Sequence, residues 1–170
     1  MGKAVAKRGT IEGITVYCKD ELVARDCTVT LPEAVYQTAD IKAMGTVSMP
    51  LSSWLDDMET TITKEGIDKN LTKLTSPGTK NIEYRWIHDV IKTDGTVVQE
   101  GCKAFLRVMP KTLIPGASLE VGSVAENDIA FTVTRYRLVV NGEELLLIDR
   151  FGAIIRVNGV DVSSNFDKYL

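Results

Sequence analysis

Alternation of apolar and polar residues with a period of two is the feature that most constrains this sequence. In residues 80–92 one set of alternate side chains is apolar or aromatic apart from a single histidine: Ile82, Tyr84, Trp86, His88 and Val90. The runs 97–109 and 129–140 alternate in the same way. Because successive side chains of a strand point to opposite faces, this pattern predicts antiparallel strands with one buried face each.

Short turn signals separate these runs. Asn141-Gly142, Asn158-Gly159 and Asp94-Gly95 are dipeptides that tolerate the positive φ of tight hairpin turns. Lys19-Asp20-Glu21 and Ala43-Met44-Gly45 also lie between extended runs. We therefore predict a mainly β fold, an antiparallel β-sandwich or barrel with one short α-helix and a long extended hairpin.

One segment departs from period two. Three apolar side chains in residues 64–75 recur at helical spacing: Ile67, Leu71 and Leu74. Thr63 is a candidate cap for the start of this helix, and Ser76-Pro77-Gly78 is expected to end it. We expect one short helix over about 64–75.

Residues 31–63 form an acidic, weakly apolar stretch. Five carboxylates are balanced by Lys42 alone, which gives the stretch a net charge of −4. We interpret it as two extended arms around a turn at 43–45. Period two places Trp54, Met58 and Ile62 on one face of the second arm and Ser53, Leu55, Asp57, Glu59 and Thr61 on the other. Such a hairpin is an exposed edge, which favours a partner that is another copy of the chain; an ordinary surface loop is the alternative.

Composition places the chain among globular proteins. With 170 residues it is expected to fold as one domain spanning 1–170, and 44% hydrophobic residues are enough for a core. Twenty basic and 23 acidic residues give a net charge of −3, so a protein that binds nucleic-acid phosphates is not expected. We expect no secretory signal, because no apolar segment follows the basic residues 1–10, and no membrane segment, because no apolar run approaches about 18 residues.

Residues suited to catalysis are sparse. His88, the only histidine, falls on the apolar face of a predicted strand, so a structural role is favoured over general-base chemistry. The three cysteines lack the paired spacing of a zinc site. Arg135 and Arg137 share a strand face and are interpreted as a solvated or interface pair, with anion binding as the alternative. We expect no enzyme activity, no cofactor and no metal.

An ordered set of motifs across residues 11–161 resembles a known family. Val29-Thr30-Leu31-Pro32-Glu33 ends the first hairpin region, and RYRLVVNGEELLLID at 135–149 precedes IIRVNGVD at 154–161. This order resembles the major tail tube protein of contractile-tailed bacteriophages and of phage-tail-like bacteriocins. The matching positions near the C-terminus are Tyr136, Leu138, Gly142, Ile148, Asp149, Asn158, Gly159, Val160 and Asp161. The turn of the long hairpin, often glycine-rich in that family, has only Gly45 here.

The resemblance implies a structural role. Such proteins fold as a small β-sandwich or barrel, close into rings of six by joining strand edges, and stack into a tube inside a contractile sheath. The implied partners are copies of the chain, the sheath protein, baseplate and tail-terminator proteins and, in a phage, DNA that passes without specific binding. The implied location is a virion tail or tailocin particle that is assembled in the bacterial cytoplasm.

The resemblance also suggests which residues carry the function. Acidic side chains facing a channel would repel DNA phosphates, and we expect Asp57 and Glu59 there, with Glu33 and Gln37 as further candidates. The alternative is that these four residues are ordinary solvated positions on the outer surface. The hairpin tip is expected to contact the neighbouring ring through Ile41, Lys42, Ala43, Met44, Gly45 and Thr46. Alternative functions are a secretion-system ring protein of similar fold, a monomeric ligand-binding β-barrel and a hydrolase that uses His88.

Overall fold

The computed structural model describes residues 5–162 and 168–169, in which 12 strands and one helix lie. The strands are β1 (Lys7–Cys18), β2 (Glu21–Arg25), β3 (Thr28–Thr30), β4 (Tyr36–Lys42), β5 (Thr46–Leu55), β6 (Glu59–Glu65), β7 (Lys80–Ile91), β8 (Val97–Pro110), β9 (Glu126–Val140), β10 (Glu143–Asp149), β11 (Ile154–Val157) and β12 (Val160–Asp161). The helix α1 spans Lys69–Thr75.

Eight of these strands follow one another across the main sheet, in the order β12-β11-β10-β9-β8-β7-β1-β2. Every pairing is antiparallel, and β7, β8 and β9 coincide with the three alternating runs of the sequence. Asp94-Gly95 and Asn141-Gly142 form the turns between successive strands. The predicted mainly β fold is therefore confirmed, as a sandwich-like arrangement in which the sheet does not close into a barrel.

Strand β9 contributes to two layers because its partner changes along its length. Residues 135–140 lie between β8 and β10, whereas 126–132 pair with β6 on the edge opposite β8. Where β9 changes partners, its register with β8 shifts at Arg107/Val108. The hydroxyl of Thr134 there donates to the carbonyl oxygen of Arg107 at 3.2 Å. A bulge bends a strand, so β9 turns here from one layer into the other.

The apolar side chains of both layers form one hydrophobic core. Its fully buried members include Met58, just before β6, Ile62 of β6, Phe131 of β9 and Tyr84 of β7, and α1 adds Leu71 and Leu74. Burial of a side chain of this size contributes roughly 1.5–3 kcal/mol. The predicted face of β7 is confirmed, since Ile82, Tyr84 and Val90 are all buried.

The helix is shorter than the sequence pattern indicates. Lys64 and Glu65 belong to β6, where they pair with Asn127 and Glu126 of β9, so sheet pairing replaces the start of the predicted helix. Gly66, at φ 77°, follows the strand. Asp68, rather than Thr63, caps α1, because its Oδ1 accepts from the backbone N–H of Leu71 at 3.0 Å. Ile67 is left 65% exposed.

The second arm of the long hairpin also ends earlier than expected. Strand β5 stops at Leu55, and the next three residues connect it to β6 in the main sheet. Trp54 is 62% exposed and Leu55 only 7%, so Trp54 does not share a face with Met58 and Ile62, and Leu55 does not share one with Asp57. The predicted alternation over 47–63 is wrong because the extended pairing is interrupted at 56–58.

Candidate assembly surface

The hairpin of β4 and β5, residues 36–55, is here called the arm. It forms a separate two-stranded sheet, and all seven residues of β4 are exposed. Ala39 lies opposite Met49 and Ile41 opposite Val47. Because directly opposed residues share a face, these four side chains make one exposed apolar face, called the apolar face of the arm. The other face is polar, with Thr38, Asp40, Lys42, Thr46 and Ser48.

The tip of the arm contains all six residues expected there from the sequence. The backbone N–H of Ala43 donates to the carbonyl oxygen of Gly45 at 2.9 Å, and φ is 51° at Met44 and 124° at Gly45. The value at Gly45 requires a glycine. Met44 is fully exposed, and Ile41 is 45% exposed. The turn therefore presents a methionine and an isoleucine to solvent in the isolated subunit.

Arg150 attaches the base of the arm to the main sheet. Its guanidinium donates to the carbonyl oxygens of Leu55 at 2.9 Å and Asp56 at 2.7 Å. The backbone N–H of Arg150 bonds the carbonyl of Thr134 at 3.1 Å, beside the bulge of β9. The backbone N–H of Asp56 bonds Val35 at 2.8 Å and closes the base. Sequence reasoning missed Arg150, because no local pattern marks a side chain that binds distant backbone carbonyls.

Two of the four channel candidates meet at this base. Lys111 places its Nζ 3.0 Å from Glu59 Oε2 and 3.8 Å from Asp57 Oδ2, and all three side chains are at least 40% exposed. The hydrogen bond to Glu59 raises the pKa of Lys111. Glu33, before β4, and Gln37, at the register shift of β4, are also exposed. The structure thus brings Asp57 and Glu59 together around a lysine that sequence reasoning did not identify.

His88 belongs to a cluster that links three strands. Its Nε2 lies 2.9 Å from Oε2 of Glu100 on β8, and Arg8 of β1 reaches the two oxygens of Glu100 at 3.2 and 3.3 Å. The hydrogen bonds from Arg8 and His88 lower the pKa of Glu100. Cys102 Sγ is 3.7 Å from the His88 ring, but burial raises the pKa of its thiol. The neutral thiol is a poor nucleophile, so the cluster serves to join strands.

The other chemistry-bearing residues have structural surroundings. Arg135 lies 3.9 Å from Asp149, and Arg137 lies 3.5 Å from Glu144, so both arginines face carboxylates of β10. Cys18 and Cys27 are buried, and burial raises the pKa of each thiol. Over residues 5–162 and 168–169, no three acidic, histidine or cysteine side chains come together as a metal site would require. In the same residues, no helix has the length and apolar character of a membrane span.

Comparisons with known proteins point to one family. The family model described as phage tail tube protein FII matches residues 8–170. Among curated protein sequences, none matches this chain. The fold is similar to a chain in the cryo-EM structure of an extracellular contractile injection system, the PVC sheath-tube complex in the extended state. That match has a TM-score of 0.51 and 16% identity, and it covers 74% of this chain and 87% of the other.

A second similar chain comes from the cryo-EM structure of the PVC sheath/tube terminator in the extended state. It has a TM-score of 0.49 and 14% identity, with 74% of this chain and 92% of the other covered. The family match extends over nearly the whole sequence, including the arm and every strand of the main sheet. The chain belongs to the phage tail tube protein FII family.

Proposed function

We propose that this protein is the subunit of the inner tube of a contractile phage tail or tailocin. Six copies close into a ring, and rings stack into a tube with a continuous channel. The proposal has no catalytic step: its mechanism is ring closure and stacking. The observation that carries it is the arm, whose apolar face is exposed in the single chain and whose strands pair with no other strand among the described residues.

An arm of this kind is better suited to an assembled subunit than to a free monomer. Ile41, Val47 and Met49 are each close to half exposed, and Met44 is fully exposed. An apolar strand edge in water is open to pairing with another chain, and contact with a neighbouring ring would cover it. Repeated contacts between two different surfaces of identical subunits form rings when they close. We therefore propose that residues 41–46 contact the adjacent ring.

Charge supports a channel that DNA passes without adhering. We propose that Asp57 and Glu59 face the channel, with Glu33 and Gln37 nearby. All four are exposed, and Lys111 balances only part of the charge of Asp57 and Glu59. A ring of six would carry about −18 if the net charges simply add. Such a wall would repel phosphates, the opposite of the lysine- and arginine-rich surfaces that bind nucleic acids.

The partners follow from this architecture. We propose that the tube lies inside a sheath, starts at a baseplate and ends at a tail terminator, all assembled in the bacterial cytoplasm. The similar PVC chain comes from a sheath-tube complex, which supports the sheath as a partner. In a phage the channel carries DNA. In a tailocin or injection system the tube belongs to a particle that holds no genome.

The experiment is negative-stain electron microscopy of the concentrated, purified protein, together with size-exclusion chromatography. Rings or hollow tubes with a uniform bore are the expected result. A strictly monomeric protein at every concentration, which stays monomeric when assembled baseplates are added as nuclei, would contradict the proposal.

A further inference from the structure

The connection between β8 and β9 exposes an unusual amount of apolar surface. Residues 111–125 contain no strand or helix, and their aliphatic side chains point to solvent. Five of them are more than 60% exposed: Leu113, Ile114, Leu119, Val121 and Val124. We call this surface the aliphatic loop. Monomeric proteins seldom expose apolar patches larger than a few hundred Å², and larger ones mark interaction sites.

The aliphatic loop is fixed at both ends but lies away from the base of the arm. The backbone N–H of Lys111 bonds Ala130 at 2.9 Å, and that of Gly66 bonds Ala125 at 2.9 Å. These two anchors flank opposite ends of β6, which has seven residues and so spans roughly 20 Å. Only the Lys111 end lies near the base of the arm, where Lys111 contacts Asp57 and Glu59. The loop and the apolar face of the arm are both exposed, so the arm does not cover the loop of its own chain.

The two surfaces also complement each other in charge. Glu120 is the only charged residue in 112–125, and it is exposed between Leu119 and Val121. Lys42 is the only charged residue of the tip, residues 41–46, and it is exposed. Neither side chain forms an ion pair within the described residues. The loop and the tip thus each combine exposed apolar side chains with one charge that has no ion pair, and the two charges have opposite sign.

We infer that the aliphatic loop is the surface on which the arm of another copy of this chain docks. The tip contacts the loop end-on, with Met44 at the turn against the aliphatic side chains of the loop, and Lys42 pairs with Glu120. Contact between two different patches of identical chains is heterologous, so it propagates from subunit to subunit. The inference rests on the proposed function, because it names the surface of the neighbouring ring that receives the tip.

Cross-linking in assembled tubes tests the inference. Met44→Cys and Val121→Cys are combined in one chain, because both side chains are fully exposed and the three native cysteines are buried. A short bis-maleimide should link chains into a ladder of multimers on a denaturing gel. The matched control combines Met44→Cys with Thr93→Cys, an exposed position in the β7–β8 turn, and should give no ladder.

Charge exchange provides an independent measurement. Lys42→Glu and Glu120→Lys should each raise the concentration needed for assembly, roughly threefold to tenfold at low salt, and the double variant should restore it. Tubes that form without a 44–121 ladder, or a double variant that assembles no better than the single ones, would overturn the inference and leave the proposed function intact. Wild-type protein that forms no rings or tubes would overturn both.

Discussion

The guanidinium of Arg150 donates a hydrogen bond to the carbonyl oxygen of Leu55, 2.9 Å away and 95 positions apart in the sequence. Leu55 is the last residue of the arm, and Arg150 directly follows β10. The same guanidinium also binds the carbonyl of Asp56. Arg150 therefore links the end of the arm to the main sheet, near the place where β9 changes partners.

Replacement of Arg150 should loosen the base of the arm. Arg150→Gln removes charge-assisted hydrogen bonds, each of which contributes about 1.5–3 kcal/mol when buried and less at this exposed site. We expect protection of the Asp56 backbone N–H from hydrogen exchange to fall about tenfold or more, since 1.4 kcal/mol is a factor of ten. Arg107→Gln is the control, because Arg107 forms no ion pair within the described residues. Unchanged protection at Asp56 would contradict the role of Arg150.

Loss of the Tyr84 hydroxyl should weaken the link between the layers. Thr60 donates to the carbonyl of Thr30 at 2.7 Å, so the Tyr84 hydroxyl, 2.9 Å from Thr60 Oγ1, is the donor between them. Burial also raises the pKa of Tyr84 far above its ordinary value. Tyr84→Phe should lower the free energy of unfolding by about 1 kcal/mol in urea titration. Tyr36→Phe, at a partly exposed position of the arm, should change it by less than about 0.5 kcal/mol; equal effects would refute the assignment.

Asp68 should make stability depend on pH. Burial alone would raise the pKa of Asp68, but hydrogen bonds from Lys64 and from the backbone of Leu71 outweigh it and lower that pKa. A carboxylate whose pKa is lower in the folded state stabilises the protein at pH values above its unfolded-state pKa of about 3.9. This stabilisation is lost as pH falls through the folded-state pKa.

Asp68→Ala should therefore lower the free energy of unfolding by about 1–2 kcal/mol at neutral pH, through the lost cap and the unpaired, buried Lys64. The difference from wild type should shrink as pH falls below about 4. Asp40→Ala, on the exposed arm, is the control. A difference that stays constant with pH would show that the carboxylate charge does not contribute.

Reversal of the charge of Asp57 or Glu59, beside the base of the arm, should affect the passage of DNA through the tube rather than assembly. Asp57→Lys and Glu59→Lys change exposed side chains, so stability should change by no more than about 0.5 kcal/mol. In a phage, we expect normal tubes but infectivity reduced at least several-fold, because the wall would attract phosphates. Glu143→Lys, an exposed carboxylate of β10, is the matched control. Wild-type infectivity of both arm-base variants would show that these residues do not face the channel.

Much of the sheet was predictable from residues alone. Tyr84 and Ile82 follow period two because the strand that carries them buries one face, and Asn141-Gly142 forms a turn for a local conformational reason. The start of the helix was predicted too early, because Ile67 fits the helical spacing of Leu71 and Leu74, whereas pairing with β9 keeps residues 64 and 65 in β6.

The candidate surfaces for assembly were predictable only in part. The acidic stretch 31–63 differs from the alternating runs around it, so a long hairpin with a tip from Ile41 to Thr46 was predicted. Arg150 and Lys111 were not, because each acts on residues more than 50 positions away. The aliphatic loop was missed for a different reason: Leu119 and Val121 look like core residues until the fold shows them exposed.

Helical reconstruction from electron cryomicroscopy of tubes assembled from the purified chain tests the central proposal most directly. We predict stacked rings of six subunits, with Asp57 and Glu59 on the channel wall and each arm tip in contact with the adjacent ring. A closed monomeric particle, or a filament without a channel in which the arm stays free in solvent, would contradict the proposed function.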